Sequence, residues 1–108
     1  MRSREELDAK LREILSAHDI TTKDGHVYFQ APSAHSILYP AIIYKFEREF
    51  PIYADNIVYS SWDVYELNIV TREPNIELAK DVLSAVKGTI QTTYSANGLY
   101  HYIGTVNW

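Results

Sequence analysis

The stretch Tyr65-Glu66-Leu67-Asn68-Ile69 places apolar-bodied side chains at odd positions and polar ones at even positions. A period of two puts each set on its own face of a β-strand. A parallel strand covered on both faces would instead read as a near-continuous apolar run. The alternation therefore predicts a half-buried antiparallel strand, from about Val58 to Thr71. Upstream, Tyr39-Pro40 marks the entry to a partner strand over Ala41 to Phe50, where a proline at the first position removes no ladder donor. Ile42, Tyr44 and Phe46 share one face there, with Lys45, Glu47 and Glu49 on the other. Between the two strands, Pro51 to Ile57 reads as a loop carrying Tyr53-Ala54-Asp55-Asn56.

Working outward, Ser3 followed by Glu6 is a capping-box pattern that opens a helix over Ser3 to Ala17. Leu7, Leu11, Ile14, Leu15 and His18 recur on one helical face, with Arg4, Glu5, Asp8 and Arg12 on or beside the polar one. Val27-Tyr28-Phe29-Gln30 is a short strand, and Ala31 to Ser36 a polar connector. Arg72-Glu73-Pro74-Asn75 breaks the long strand and starts a second helix, whose stripe is Ala79, Val82, Leu83, Val86 and Ile90, with Gly88 as its stop. Thr89 to Tyr94 forms a further strand. Asn97-Gly98 is the turn into a last one, Leu99 to Trp108, with Tyr100, Tyr102, Val106 and Trp108 pointing one way. Gly104 inside that strand marks a bulge or a close backbone approach. These elements predict one α+β domain over residues 1–108: an antiparallel four- to five-stranded sheet with two helices packed on one face, a two-layer sandwich.

Composition narrows the function. The chain has 108 residues, a formal net charge of −4 and no cysteine. Disulfides and thiolate metal sites are excluded, and a reducing cytoplasm suits such a protein. Lys and Arg are scattered, without the basic stripe of a nucleic-acid binder. No apolar stretch of signal-peptide or membrane-spanning length follows Met1-Arg2-Ser3-Arg4, so neither classical export nor a membrane partner is expected.

Residues able to do chemistry do not converge. His18, His26, His35 and His101 lack metal-ligand spacing, and Asp24-Gly25-His26 offers two ligands where three are needed. No serine sits in a Gly-x-Ser-x-Gly elbow, and four spaced glycines build no phosphate loop. Glu47 and Glu49 are better read as a solvated face than as a catalytic pair. No catalytic, cofactor-binding or metal residue is assigned, and the chain is not expected to be an enzyme. The surplus is in tyrosine, nine in all. A core tyrosine needs a partner for its hydroxyl, whereas interfaces favour tyrosine outright. Tyr53, Asp55, Asn56, Tyr59 and Trp62, in or beside the long loop, are the expected contact residues.

Taken in order, these motifs resemble the tail-completion, or tail-terminator, family of siphophages and their prophages. The likeness runs through Tyr39-Pro40-Ala41-Ile42-Ile43-Tyr44-Lys45, then Tyr53-Ala54-Asp55-Asn56 and Tyr59, then Tyr65-Glu66-Leu67-Asn68-Ile69-Val70. It continues with Arg72-Glu73-Pro74-Asn75 and Asn97-Gly98-Leu99-Tyr100-His101, ahead of an aromatic at Trp108. The threonine-rich Thr89 to Tyr94 departs from the family's more aromatic and basic character. The resemblance implies a structural virion protein at the head-proximal end of the tail, assembled in the host cytoplasm. Six copies would form a homohexameric ring on the tail tube protein, stop its polymerisation and offer the joining surface to the head connector or stopper protein. Genomic DNA would pass through the lumen without specific binding, which an acidic balance suits. The nearest alternative is a head-completion, stopper or adaptor protein of the same head-tail connector. A small enzyme with an unrecognised pocket and a regulatory binding module are the readings from other classes.

Overall fold

A computed structural model gives the fold, with residues 3–23, 25–30 and 37–108 described, apart from the side chains of 58–60. The expected connector at 31–36 and the Asp24 part of the Asp24-Gly25-His26 turn lie outside the described residues. Two helices and five strands follow in the order α1 (Arg4–Ala17), β1 (Val27–Phe29), β2 (Ala41–Ala54), β3 (Ile57–Thr71), α2 (Ile76–Ala85), β4 (Thr89–Ala96) and β5 (Leu99–Asn107). The α+β class holds.

Helix α1 starts as its cap predicts, with the Ser3 hydroxyl accepting from the Glu6 N–H at 3.2 Å and Glu5 and Glu6 in the positive first turn. It ends in a Schellman motif, in which Asp19 adopts φ 62° and the Ile20 N–H returns to the Leu15 carbonyl at 3.0 Å. Helix α2 closes in the same way, but the left-handed residue is Lys87, φ 58°, and not glycine. Gly88 follows it for a different reason: a Cβ there would stand 2.8 Å from the Thr105 carbonyl oxygen. Ile90, expected on the α2 stripe, lies instead in β4.

The sheet order is β1-β2-β3-β5-β4. Its one departure from the expected antiparallel plan is β1, which runs parallel to β2 with Val27 opposite Ile42 and Phe29 opposite Tyr44. β2 thus sets out in the same direction as β1. The sheet is therefore mixed, with three antiparallel pairs and one parallel pair. At Gly104 the backbone of β5 runs close against Leu83 of α2. A Cβ there would lie 2.6 Å from the Thr89 carbonyl and 2.8 Å from a Leu83 methyl, and β4 carries a bulge at Gln91 across from it.

One core joins these parts. Leu7, Leu11 and Leu15 of α1, with Leu78, Ala79, Val82 and Leu83 of α2, pack with Ile42, Tyr44, Leu67, Ile69, Tyr102 and Val106 of the sheet. Fully burying a side chain of this kind contributes about 1.5–3 kcal/mol. His18 of α1 and Asp81 of α2 meet at 3.0 Å and tie the helices together at the surface. Of the three core tyrosines, Tyr44, Tyr65 and Tyr102, the first and last have their hydroxyls held by hydrogen bonds to named partners. Tyr102 accepts from the N–H of Asn75, the α2 cap, at 2.9 Å.

Tyr44 is wholly buried. Its hydroxyl donates to Asp8 Oδ2 at 2.6 Å and accepts from Arg4 Nη1 at 3.1 Å, while Arg12 Nε holds the other Asp8 oxygen at 2.6 Å. Burial first, and then the hydrogen bond to the Asp8 carboxylate, push the Tyr44 phenol from 10.0 up to about 12. A raised folded-state pKa stabilises fully below the unfolded value and is lost as pH rises through the folded one. Fold stability is therefore expected to drop between about pH 10 and pH 12. Denaturation midpoints across that range check this, and a Tyr44→Phe variant should lose the part of the slope that Tyr44 contributes. An equal slope in that variant would assign the loss elsewhere, with Tyr65, raised chiefly by burial, the next group to examine.

Candidate interaction surface

β2 and β3 are much longer than the sheet they belong to. β1 covers β2 only at Ile42–Tyr44, and β5 follows β3 only from Val64 to Thr71. From Glu47 to Trp62 the two strands pair, among the described residues, only with each other, and they form an antiparallel arm that continues pairing to Ala54 opposite Ile57. The molecule is correspondingly elongated, 50 Å by 27 Å by 26 Å. The expected Pro51–Ile57 loop is thus corrected: Pro51–Ala54 is strand, and the turn is only Asp55-Asn56. Both turn residues take left-handed backbone, φ 54° and 63°. That is the two-residue turn whose twist matches the strands, in residue types that tolerate it.

A bulge at Glu47 decides what the arm displays. Phe46 faces Tyr65 across the ladder, but Arg48 faces Val64, so Glu47 is an extra residue on β2. One extra residue reverses the in–out alternation beyond it. Phe46 therefore stays on the helix side, edge-on to Tyr65 at 5.8 Å. Phe50 and Ile52, by contrast, come to the open side of the sheet. Phe50 sits directly opposite Trp62, and the Arg48 guanidinium lies 5.5 Å from the Phe50 ring centre. Glu49 and Asp63 face each other on the reverse side, where paired like charges disfavour close burial. The arm thus has one apolar face and one acidic face.

The expected contact residues fall on this arm, though not as one cluster. Tyr53, Asp55 and Asn56 meet at its tip, with Tyr53 63% exposed. Trp62 lies farther down, 38% exposed in the stripe with Phe50 and Ile52. Tyr59 is the unpaired residue of a second bulge in β3, and its side chain lies outside the described ones. Sequence reasoning missed Phe50, Ile52 and Ile57. Their signal was the alternation Phe50-x-Ile52, hidden because Pro51 read as a strand end.

The open face beside the arm holds a concavity of about 530 Å³ whose lining includes Gln30, Ile43, Lys45, Glu66 and Asn68. Farther across, His101 stacks on Tyr94 with ring centres 4.5 Å apart, and burial lowers the His101 pKa from its ordinary 6.5. Asn68 Nδ2 lies 3.4 Å from His101 Nδ1, while its buried Oδ1 has no hydrogen-bond partner. Among the described residues no three ligands gather for a metal ion, and no helix is long and apolar enough to cross a membrane. What this surface offers is shape and apolar area. No protein-family model matches the chain, and no curated protein matches it significantly.

Proposed function

We propose that the chain is a tail-terminator subunit: a ring-forming virion part that caps the head-proximal end of a phage tail tube, stops its growth and presents the joining surface to the head connector. The observation that carries this reading is the protruding arm. Phe50, Ile52, Tyr53, Ile57 and Trp62 are all more than a third exposed on it, where isolated surface residues would be scattered singly. A two-stranded ribbon is marginal in water without a third strand or a packing partner. An arm built this way supports assembly with other subunits. The resemblance along the chain supplies the kind of assembly.

A two-layer arrangement, with α1 and α2 over one sheet face and the other face open, suits a part that shows different surfaces to tube and connector. A cap must match the tube at one face and refuse the next tube subunit at the other. The acidic reverse side of the arm suits a lumen through which DNA passes without sticking.

The test is to mix the purified protein with isolated tail tubes and, separately, with filled heads. A terminator binds tube ends in the absence of heads, and tubes assembled without it grow to uncontrolled length. Binding to heads alone would overturn the reading in favour of a stopper or adaptor.

A further inference from the structure

Backbone directions can be followed across the whole sheet. In an antiparallel ladder the N–H and C=O of one residue point to the same side, and successive residues alternate. The Trp108 N–H donates to the Asp63 carbonyl, so odd-numbered residues at this level of β3 turn toward β5 and even-numbered ones toward β2. The Ile42 N–H donates to the His26 carbonyl, and the Tyr44 carbonyl accepts from the Gln30 N–H, so even-numbered residues at the start of β2 turn toward β1. Carried through the registers and past the Glu47 bulge, the pattern makes Glu49, Pro51 and Tyr53 the outward residues on the β2 side of the arm. On β4 the outward residues are Thr93 and Ser95.

Outer strands normally carry charge or proline against unwanted pairing. The β2 side of the arm has both, with Pro51 in an outward slot that lacks a donor. The outer strand β1 is only three residues long, but two longer edges have neither. One is β4, eight residues long, whose straight part after the Gln91 bulge is Thr92–Ala96. The other is the β3 side of the arm beyond the reach of β5, Ile57–Ser61, which contains the Tyr59 bulge. The two segments are equal in length and uncharged, yet they lie at opposite ends of one molecule. Ala96 pairs with Leu99 at the end of the sheet where Thr71 faces Tyr100, whereas the arm leaves from Val64 at the other end. They cannot meet within one subunit.

We propose that the arm of one copy lies along β4 of the next, with Ile57–Ser61 adding a strand beside Thr92–Ala96. Main-chain hydrogen bonds would give the contact its affinity, and the apolar stripe on the arm its register. The contact is head-to-tail, so it propagates from copy to copy and closes when the rotation allows. It rests on the proposed function only in taking a second copy as the occupant.

The experiment uses the full chain over a concentration series, with sedimentation for assembly and hydrogen exchange for the β4 amides. Thr93 and Ser95 amides should slow as assembly proceeds. Thr93→Pro, which removes the outward donor, should weaken assembly by at least about 100-fold while leaving the monomer's circular dichroism unchanged. Thr93→Lys keeps the backbone intact and serves if the proline variant does not fold; it too should weaken assembly. Variants that assemble like the parent, with Thr93 and Ser95 exchange unchanged on assembly, overturn the strand addition and leave self-assembly standing. A parent chain that stays monomeric both in solution and on tube ends overturns the ring reading as well.

Discussion

Replacing Phe50 and Trp62 together with serine is expected to weaken self-association and tube-end binding by at least about 100-fold, with little change in the melting of the monomer. The two residues face each other on the open side of the arm, and neither belongs to the buried core. Their mutual contact stabilises the monomer by only about 0.2–1 kcal/mol, the usual range for a cross-strand pair. Aromatic anchors buried at an interface cost about 2 kcal/mol or more each on truncation. Two of them exceed the roughly 2.8 kcal/mol that corresponds to a hundredfold change. Sedimentation and tube-end capping assays read the loss directly. Capping at parental strength by the double variant would remove the arm from the interface. A steep fall in melting temperature would show instead that the stripe packs within its own subunit.

Replacing Trp108 with alanine is expected to cost about 3–5 kcal/mol of folding stability, the range for truncating a large buried aromatic. That is a large share of the roughly 5–15 kcal/mol that holds a domain folded. The ring is 5% exposed and belongs to the core cluster. Its indole N–H donates to the Ser3 carbonyl at 2.8 Å, at the cap of α1, and its backbone N–H donates to the Asp63 carbonyl at the root of the arm. Trp108→Phe separates the two contributions: it keeps most of the ring and loses only the indole donor, for about 1 kcal/mol. Urea denaturation of both variants gives the numbers. A loss below about 1.5 kcal/mol for the alanine variant would mean that the ring is not part of the core.

What the sequence showed of this fold was whatever local chemistry decides. The Ser3 cap and the Leu7, Leu11, Leu15 stripe read correctly because both act within a few turns of one helix. Tyr65, Leu67 and Ile69 read correctly because alternation is a property of a single strand. The parallel partnership of β1 was not legible, since nothing within its three residues sets their direction relative to β2. The arm was misread for a related reason. Pro51 signals a strand end unless its nitrogen, which has no hydrogen to donate, faces away from the partner strand, and that depends on an edge the sequence does not display. The bulge at Glu47 then hid the alternation of Phe50 and Ile52 by shifting it one residue out of phase. Tyr53, Asp55, Asn56 and Trp62 were singled out as contact candidates because aromatic residues gather in and beside an expected long loop, and the structure places them on the arm; Phe50, Ile52 and Ile57 were not singled out. Gly88 was placed at the end of α2 for its backbone freedom, whereas the structure uses its missing side chain against Thr105.

The position of β5 between β3 and β4 bears on how quickly the chain folds. The arm joins residues on either side of a two-residue turn, and such hairpins close in about 1–10 μs. The sheet cannot close so early, because Leu99–Asn107 must reach back past α2 and β4 to pair with Val64–Thr71, and long-range pairing of that kind slows folding. The arm's ladder can therefore form, though only marginally stable, while β3 still lacks its inner neighbour. During that interval the unpaired flank of β3 extends from the arm into the future sheet, and a second nascent chain could dock there as readily as β5. The docking rate of β5 sets the length of this window, and with it the balance between folding and aggregation during synthesis.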